Sequence, residues 1–272
     1  MKKIKWIPRM IITVILFLIF FFPFYWMLVT SVKTLGETVQ VPPTFFPEVF
    51  QWENFKQAFE AIPFLSYLKN SVIVTAAVLI LQMLTIVPCA YAFARYRFKG
   101  QKFLFGLIMI TMMIPAQLIF MPIFVMFSRI GWINTYQSLI LPFASSAFGI
   151  FMLRQTFKQV PNELIEAAKL DRASEWKIIC KIMLPLARPT LTTLALLTFI
   201  NTWNDYFWPL VLTTKDTVRT LPVGIASLRQ IESGINYHVL MAGNVMLVIP
   251  IIIAFVLAQK QIIKAFTYMG DK

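Results

Sequence analysis

The residues best equipped for chemistry in this 272-residue chain gather near the end of one apolar run, in the string "TWNDYFWPLVL". They are Asn201, Trp203, Asn204, Asp205 and Tyr206. Amides and a carboxylate beside aromatic rings can recognise a polyhydroxylated ligand, because a ring stacks on the face of a sugar while amides bond its hydroxyls. The same residues also suit an interfacial aromatic belt with polar contacts between helices. Covalent and acid–base chemistry find no comparable set. The single histidine, His238, stands alone beside an apolar run, and Cys89 and Cys180 read as two isolated free thiols. The phosphate-cradling G-x-x-x-x-G-K-[ST], the nucleophile elbow G-x-S-x-G and the zinc motif H-E-x-x-H are all absent. No catalytic residue, metal site or cofactor is therefore expected.

The elements that must position these residues are membrane helices. The chain is 58% hydrophobic and 14% charged, against about 45–50% and 25% for an average soluble domain. A bilayer core about 30 Å thick is crossed by about 20 apolar residues in a helix. Six runs meet that length: about 10–31, 71–93, 103–127, 135–153, 190–212 and 240–258. The expected fold is an all-α polytopic membrane protein of one domain with six transmembrane helices. The first run is read as a retained helix, since its apolar core is long for a signal segment and no small-residue cleavage site follows it. Asp205 is the only acid in the six runs. A proton- or ion-coupled carrier needs more ionisable groups at depth than that, and no channel filter is recognisable. A chain of this kind can form a pathway, but the energy for uphill transport has to enter from another subunit.

The net charge of +13 could suggest nucleic acid, but the basic residues sit in short turns between apolar runs, where membrane topology accounts for them. Lys2, Lys3, Lys5 and Arg9 precede the first run. Arg95, Arg97, Lys99 and Lys102 follow the second, and the stretch 154–189 and the C-terminal tail hold most of the others. Short loops rich in Lys and Arg stay in the cytoplasm, so both termini and the 154–189 stretch are expected on that side. Two substantial outer loops are expected, Val32 to Asn70 and Thr213 to Val239. Prolines at positions 23, 88, 115, 122, 142 and 250 fall inside the runs, where kinks are tolerated.

The stretch "EAAKLDRASEWKIICKIMLPLARP", Glu166 to Pro189, carries most of the charge in the middle of the chain. Pro161 suits the first turn of a helix, and Glu163 complements its dipole. That helix is expected to falter at Asp171-Arg172. A second helix begins near Ser174, an N-cap residue type, with Trp176, Ile179, Ile182 and Met183 on one side, and ends at Leu184-Pro185. Read physically, this is a helix-turn-helix elbow lying along the membrane, which could also simply connect two spans.

The same stretch resembles the EAA loop of bacterial ABC importer permeases, of consensus E-A-A-x-x-D-G-A, then I-x-L-P-x-x-x-P. It stands here as Glu166-Ala167-Ala168, Asp171-Arg172-Ala173, Ile182-Met183-Leu184-Pro185 and Pro189. "VPNELIEAAKLD", "TWNDYFWPLVL", "FPEVFQWENF" and "YLKNSVIV" extend the likeness to the carbohydrate-uptake branch over nearly the whole chain. Two departures stand out: Arg172 replaces the usual turn glycine, and the tail "QKQIIKAFTYMGDK" only loosely follows the Gly-rich family ending. The resemblance implies a type I ABC importer permease fold in the bacterial inner membrane, without ATPase activity of its own. The ATPase-coupling residues it implies are Glu166, Ala167, Ala168, Asp171 and Arg172. The partners it implies are a homologous sister permease, two ATP-binding subunits, an extracellular solute-binding protein, a carbohydrate substrate and membrane lipid, with no nucleic acid. A permease for a glycerol-phosphate diester or a peptide is the alternative within the family.

Overall fold

In the computed structural model, which describes residues 6–230 and 236–267, the chain is helical throughout, with no strand among the described residues. The basic residues Lys2, Lys3 and Lys5, residues 231–235 of the second outer loop and the last five residues of the tail lie outside them. Helix α1 (Trp6–Ser31) is a long apolar rod. The expected outer loop after it is structured. It contains α2 (Leu35–Val39) and α3 (Glu53–Glu60) and leads into α4 (Phe64–Arg95), which starts well before the expected Ser71. Then come α5 (Gln101–Thr111), α6 (Phe120–Arg129), α7 (Tyr136–Ile140) and α8 (Ala147–Gln159). The charged stretch forms α9 (Asn162–Leu170) and α10 (Glu175–Ile178), a π-helical turn at Ile179–Met183, and α11 (Leu184–Leu186). The remainder is α12 (Arg188–Trp203), α13 (Phe207–Leu212), α14 (Leu221–Ser227) and α15 (Tyr237–Thr267).

Three described helices are long and apolar enough to cross a membrane: Pro8–Ser31, Phe64–Arg95 and Tyr237–Lys260. Two bent pairs would raise that to five, Tyr136–Phe143 with Ala147–Gln159 (40°) and Glu175–Leu186 with Arg188–Trp203 (82°). The expected run 103–127 is split into α5 and α6 by a non-helical stretch around Pro115. Proline removes an amide donor and pushes the residue before it, Ile114, out of the helical region. By contrast α1, α4 and α15 run straight through Pro23, Pro88 and Pro250.

Contacts divide the chain into two compact units. One takes the residues up to Tyr67 and Leu221–Pro250; the other takes Leu68–Thr220 and the residues from Ile251 onward. In the first unit, Thr34 and Glu37 form a capping box at α2, and the second Glu37 oxygen accepts from the Glu48 amide at 2.6 Å. Lys33 is fully buried, bonded to the Thr44 carbonyl, with its ammonium 4.8 Å from the Trp26 ring centroid. The expected outer loop 213–239 is corrected here. Its centre is α14, and Leu221, Pro222, Val223, Gly224 and Ile225 are all buried. Leu221, Val223 and Ile225 are large apolar groups that gain more from burial than from a surface position, so this segment is core and not a free loop.

In the second unit, the main core joins α4, α8 and the charged stretch: Ile86, Val87, Ala90 and Tyr91 meet Leu153, Phe157, Ile165, Ile178, Ile179 and Met183. A second cluster sets Trp208 and Leu212 of α13 against Val74, Val78, Phe127 and Leu139. Close approach of α8 to α4 depends on Gly149, where an added Cβ would stand 2.5 Å from Ile86 Cδ1 and 3.3 Å from its Cγ1. Gly149→Leu is expected to lower stability by about 1–3 kcal/mol through overpacking, read as a lower thermal midpoint of the detergent-purified protein. Adding Ile86→Ala in the same chain should restore part of the loss.

Candidate functional site

Two features of the second unit carry the candidate site: the elbow made by the charged stretch, and a polar cavity among the helices. The elbow is built much as its residue types require. Helix α9 starts just after Pro161, which stands in extended conformation (φ −57°, ψ 141°) one position outside the expected first turn. The helix ends at Asp171. Arg172 then takes a left-handed conformation, φ 54°, its amide donating to Lys169 O at 3.0 Å while the Ala173 amide donates to Ala168 O at 2.9 Å. This pair of bonds is the Schellman motif, which usually places glycine at the left-handed position and brings an apolar contact between the residues flanking it. Here Ala168 and Ala173 both pack on the main core. Ser174 caps α10 by accepting from the Lys177 amide at 3.3 Å.

The geometry sorts the EAA residues into two groups. Glu166, Ala167, Asp171 and Arg172 are exposed, whereas Ala168 turns inward. Two further expectations are corrected. Trp176 is 64% exposed, and Ile178, 1% exposed, takes its place in the buried row with Ile179 and Met183. The π-helical turn at Ile179–Met183 adds a residue to the repeat and shifts the inward face. Helix continues past Leu184-Pro185 to Leu186, and the 82° bend falls at Ala187. Pro185 lies within this continuous run, just past the π-helical turn, and brings no amide donor to it.

The elbow is tied to the end of α4 by directional bonds. Arg95 Nη2 donates to Phe157 O and Val160 O, each at 2.5 Å, and Nη1 donates to Asn162 Oδ1 at 2.7 Å. One guanidinium thus binds carbonyls at the end of α8 and reaches the start of α9. One turn earlier, the Tyr91 hydroxyl donates to Glu175 Oε2 at 2.6 Å, and Glu175 Oε1 pairs with Lys169 at 3.4 Å. The Tyr91 bond, partly opposed by burial and joined by Tyr96 and Lys169, holds the Glu175 carboxyl below the ordinary carboxylate range.

The cavity, about 400 Å3, is lined on its polar side by Gln82, Ser145, Ser146, Thr198, Asn201 and Asp205. It sits where two helical segments break. Between α7 and α8 the chain turns by 40°. Gln82 Nε2 donates there to Phe143 O at 2.9 Å, Thr85 donates to Ala144 O at 2.8 Å, and Ser146 caps α8 through the Gly149 amide at 3.1 Å. Gln82 Oε1 in turn accepts from Thr198 at 2.8 Å. Between α12 and α13, Asp205 Oδ1 accepts from the Trp208 amide at 3.3 Å.

Of the five residues singled out in "TWNDY", Asn201 and Asp205 line the cavity, and Trp203, Asn204 and Tyr206 do not. Trp203 is 3% exposed and stacks on Phe199 at 5.6 Å. Asn204 donates to Ile200 O, closing the last turn of α12. Gln82, Ser145, Ser146, Thr198 and Thr202 escaped the sequence reading because they come from three separated segments. An amide in mid-run, Gln82, was the one available signal.

Residues 86–268 match the family model described as "Binding-protein-dependent transport system inner membrane component". This chain belongs to that family. The matched span holds the elbow and all of the cavity lining except Gln82. Among relatives of this permease, an arabinooligosaccharide transport system permease protein from Halalkalibacterium halodurans is 37% identical over 84% of this chain and 82% of its own length. The trehalose/maltose transport system permease protein of Thermococcus litoralis is 32% identical over 98% and 96%. A chain in the crystal structure of a bacterial ABC transporter involved in import of the acidic polysaccharide alginate superposes with a TM-score of 0.82, at 26% identity, over 95% of this chain and 96% of that one. The chain is thus an inner-membrane transport component with the fold of an ABC importer permease.

Two substitutions probe the site. Arg172→Gly removes the cost of holding a side-chain-bearing residue in the left-handed region, about 1 kcal/mol. It is expected to raise the thermal midpoint slightly and leave transport intact; a severe loss of transport would show that the arginine makes a specific contact. Gln82→Leu strands Phe143 O beside the cavity and is expected to cost about 1–3 kcal/mol, measured by thermal unfolding in detergent.

Proposed function

We propose that this chain is one permease subunit of an ATP-driven importer of sugars, oligosaccharides or related carbohydrates, forming half of the translocation path. The observation that carries the reading is the elbow at the family's EAA position: a capped, core-anchored pair of helices that presents Glu166, Ala167 and Asp171 outward. Leu164, Leu170 and Trp176 are also exposed there, at 46%, 85% and 64%, more apolar surface than a simple connector would leave uncovered. Ala168, by contrast, is committed to the chain's own core.

In this reading the elbow faces the cytoplasm and docks on a separate ATP-binding subunit. Glu166 pairs with a basic residue of that subunit, and the small Ala167 lets the helix seat closely. Six spans are proposed, with α5 and α6 together making the third across the break at Pro115, and with both termini on the cytoplasmic side. A sister permease completes the path, two ATP-binding subunits drive it, and a solute-binding protein delivers substrate outside. Binding and hydrolysis of ATP move the two permeases between inward- and outward-open forms. The cavity offers amide donors from Asn201, hydroxyls from Ser145 and Thr198, and a carboxylate acceptor at Asp205, partners that suit saccharide hydroxyls. None of its lining residues is Lys, Arg or His, so this chain offers a glycerol-phosphate diester no counter-charge there.

The test combines Glu166→Ala with Ala167→Trp in the chain co-expressed with its ATP-binding subunits. The expected result is loss of ATP-dependent uptake and of co-purification with the ATP-binding subunit, at unchanged membrane levels. Normal uptake by the double variant would overturn the docking assignment.

A further inference from the structure

The two halves of the elbow rest on the rest of their unit in two different ways. Ile165, Ala168, Ala173, Ile178, Ile179 and Met183 make apolar contacts, which are non-directional and allow sliding. Directional bonds come chiefly from two residues of one helix, with Tyr96 just beyond it also bonded to Glu175. Arg95 holds the start of α9 and the end of α8, and Tyr91 holds the first residue of α10 through Glu175. Tyr91 is 4% exposed, and its ring also meets Phe157 edge-on at 6.3 Å. These two residues stand one turn apart on α4, an unbroken helix that reaches Gln82 nine residues earlier, about 13 Å along its axis. Gln82 is the residue bonded to the bend that lines the cavity.

From this arrangement, and resting on the importer reading above, we propose that Tyr91 and Arg95 are positioning residues for energy coupling. They latch both halves of the elbow to α4, so that displacement of the elbow moves α4 and, through Gln82, the cavity wall. Each link is a directional bond, and a contiguous network of such bonds can carry coupling between distant sites. Without the Tyr91–Glu175 bond the elbow can follow its partner while α4 stays behind, and hydrolysis proceeds without transport.

The experiment reconstitutes the complete importer in proteoliposomes and measures sugar moved per ATP hydrolysed, with Tyr91→Phe, Glu175→Leu, their combination, and Glu175→Gln. Tyr91→Phe keeps the ring packing and removes only the hydroxyl. It is expected to lower the transport-to-hydrolysis ratio by about five-fold or more. Glu175→Leu removes this bond together with the Tyr96 and Lys169 contacts, so it should lower the ratio at least as far, and adding Tyr91→Phe to it should cost nothing further. Glu175→Gln keeps an acceptor for the tyrosine and is expected to stay within about twofold of wild type. An unchanged ratio in Tyr91→Phe would overturn the proposal. So would a parallel fall of uptake and hydrolysis, which marks a folding or docking defect and not lost coupling. Absence of ATP-dependent uptake in the wild-type complex would instead sink the importer reading itself.

Discussion

Backbone polar groups that leave a helix inside a membrane must find partners within the protein, because lipid offers none. Much of this fold follows from that constraint. Within the apolar runs the second unit breaks its helices at 143–146 and 204–206, and in the elbow it breaks around residue 160; at each, polar groups accept freed amides or donate to freed carbonyls. Gln82 and Thr85 donate to Phe143 and Ala144, Asp205 accepts from Trp208, and Arg95 donates to Phe157 and Val160. In this fold, a break that is satisfied becomes a usable feature. Two of these make the cavity, and the third anchors the elbow.

The elbow shows how a local motif and a core are matched. Its Schellman turn places Ala168 and Ala173 on the core, and the small size of both lets the turn lie close against it. Arginine at the left-handed position costs the turn some stability, yet the two motif bonds still form at ordinary lengths, 3.0 and 2.9 Å. The motif therefore does not depend on glycine here; the packing of the flanking alanines over-determines it. The same packing separates residues that look equivalent in sequence: Ala168 is committed inward, and Ala167 beside it is exposed.

Function in such a chain is spread over surfaces that do no chemistry by themselves. The cavity provides hydrogen-bonding groups and shape, and the elbow is the surface at which the proposed importer would take up energy. Helix α4 is the physical link between them, carrying Gln82 at the cavity and Tyr91 and Arg95 at the elbow. In the proposed importer, hydrolysis belongs to a separate subunit.

Much of this was legible in the residues alone. Apolar runs of about 20 residues declare membrane helices because the bilayer sets that length. The elbow was legible as well, since helix start and stop signals act over three or four residues: the N-cap at Ser174 and the stop at Asp171-Arg172 both stand where the residue types require. Proline effects were not, because Pro115 interrupts a helix while Pro23, Pro88 and Pro250 do not, and neighbours decide which freed carbonyls can be satisfied. The facing of Trp176 and Ile178 depended on a π-helical turn with no residue signature. The cavity was legible only as Asn201 and Asp205; its other polar groups come from segments far apart in sequence, and α14 passed for a loop because its short length and glycine hid a buried helix. Sequence determined the solvent each segment prefers and the local turns, which depend on near neighbours. Tertiary structure decided which polar groups meet and which helices break, because those outcomes depend on partners many residues away.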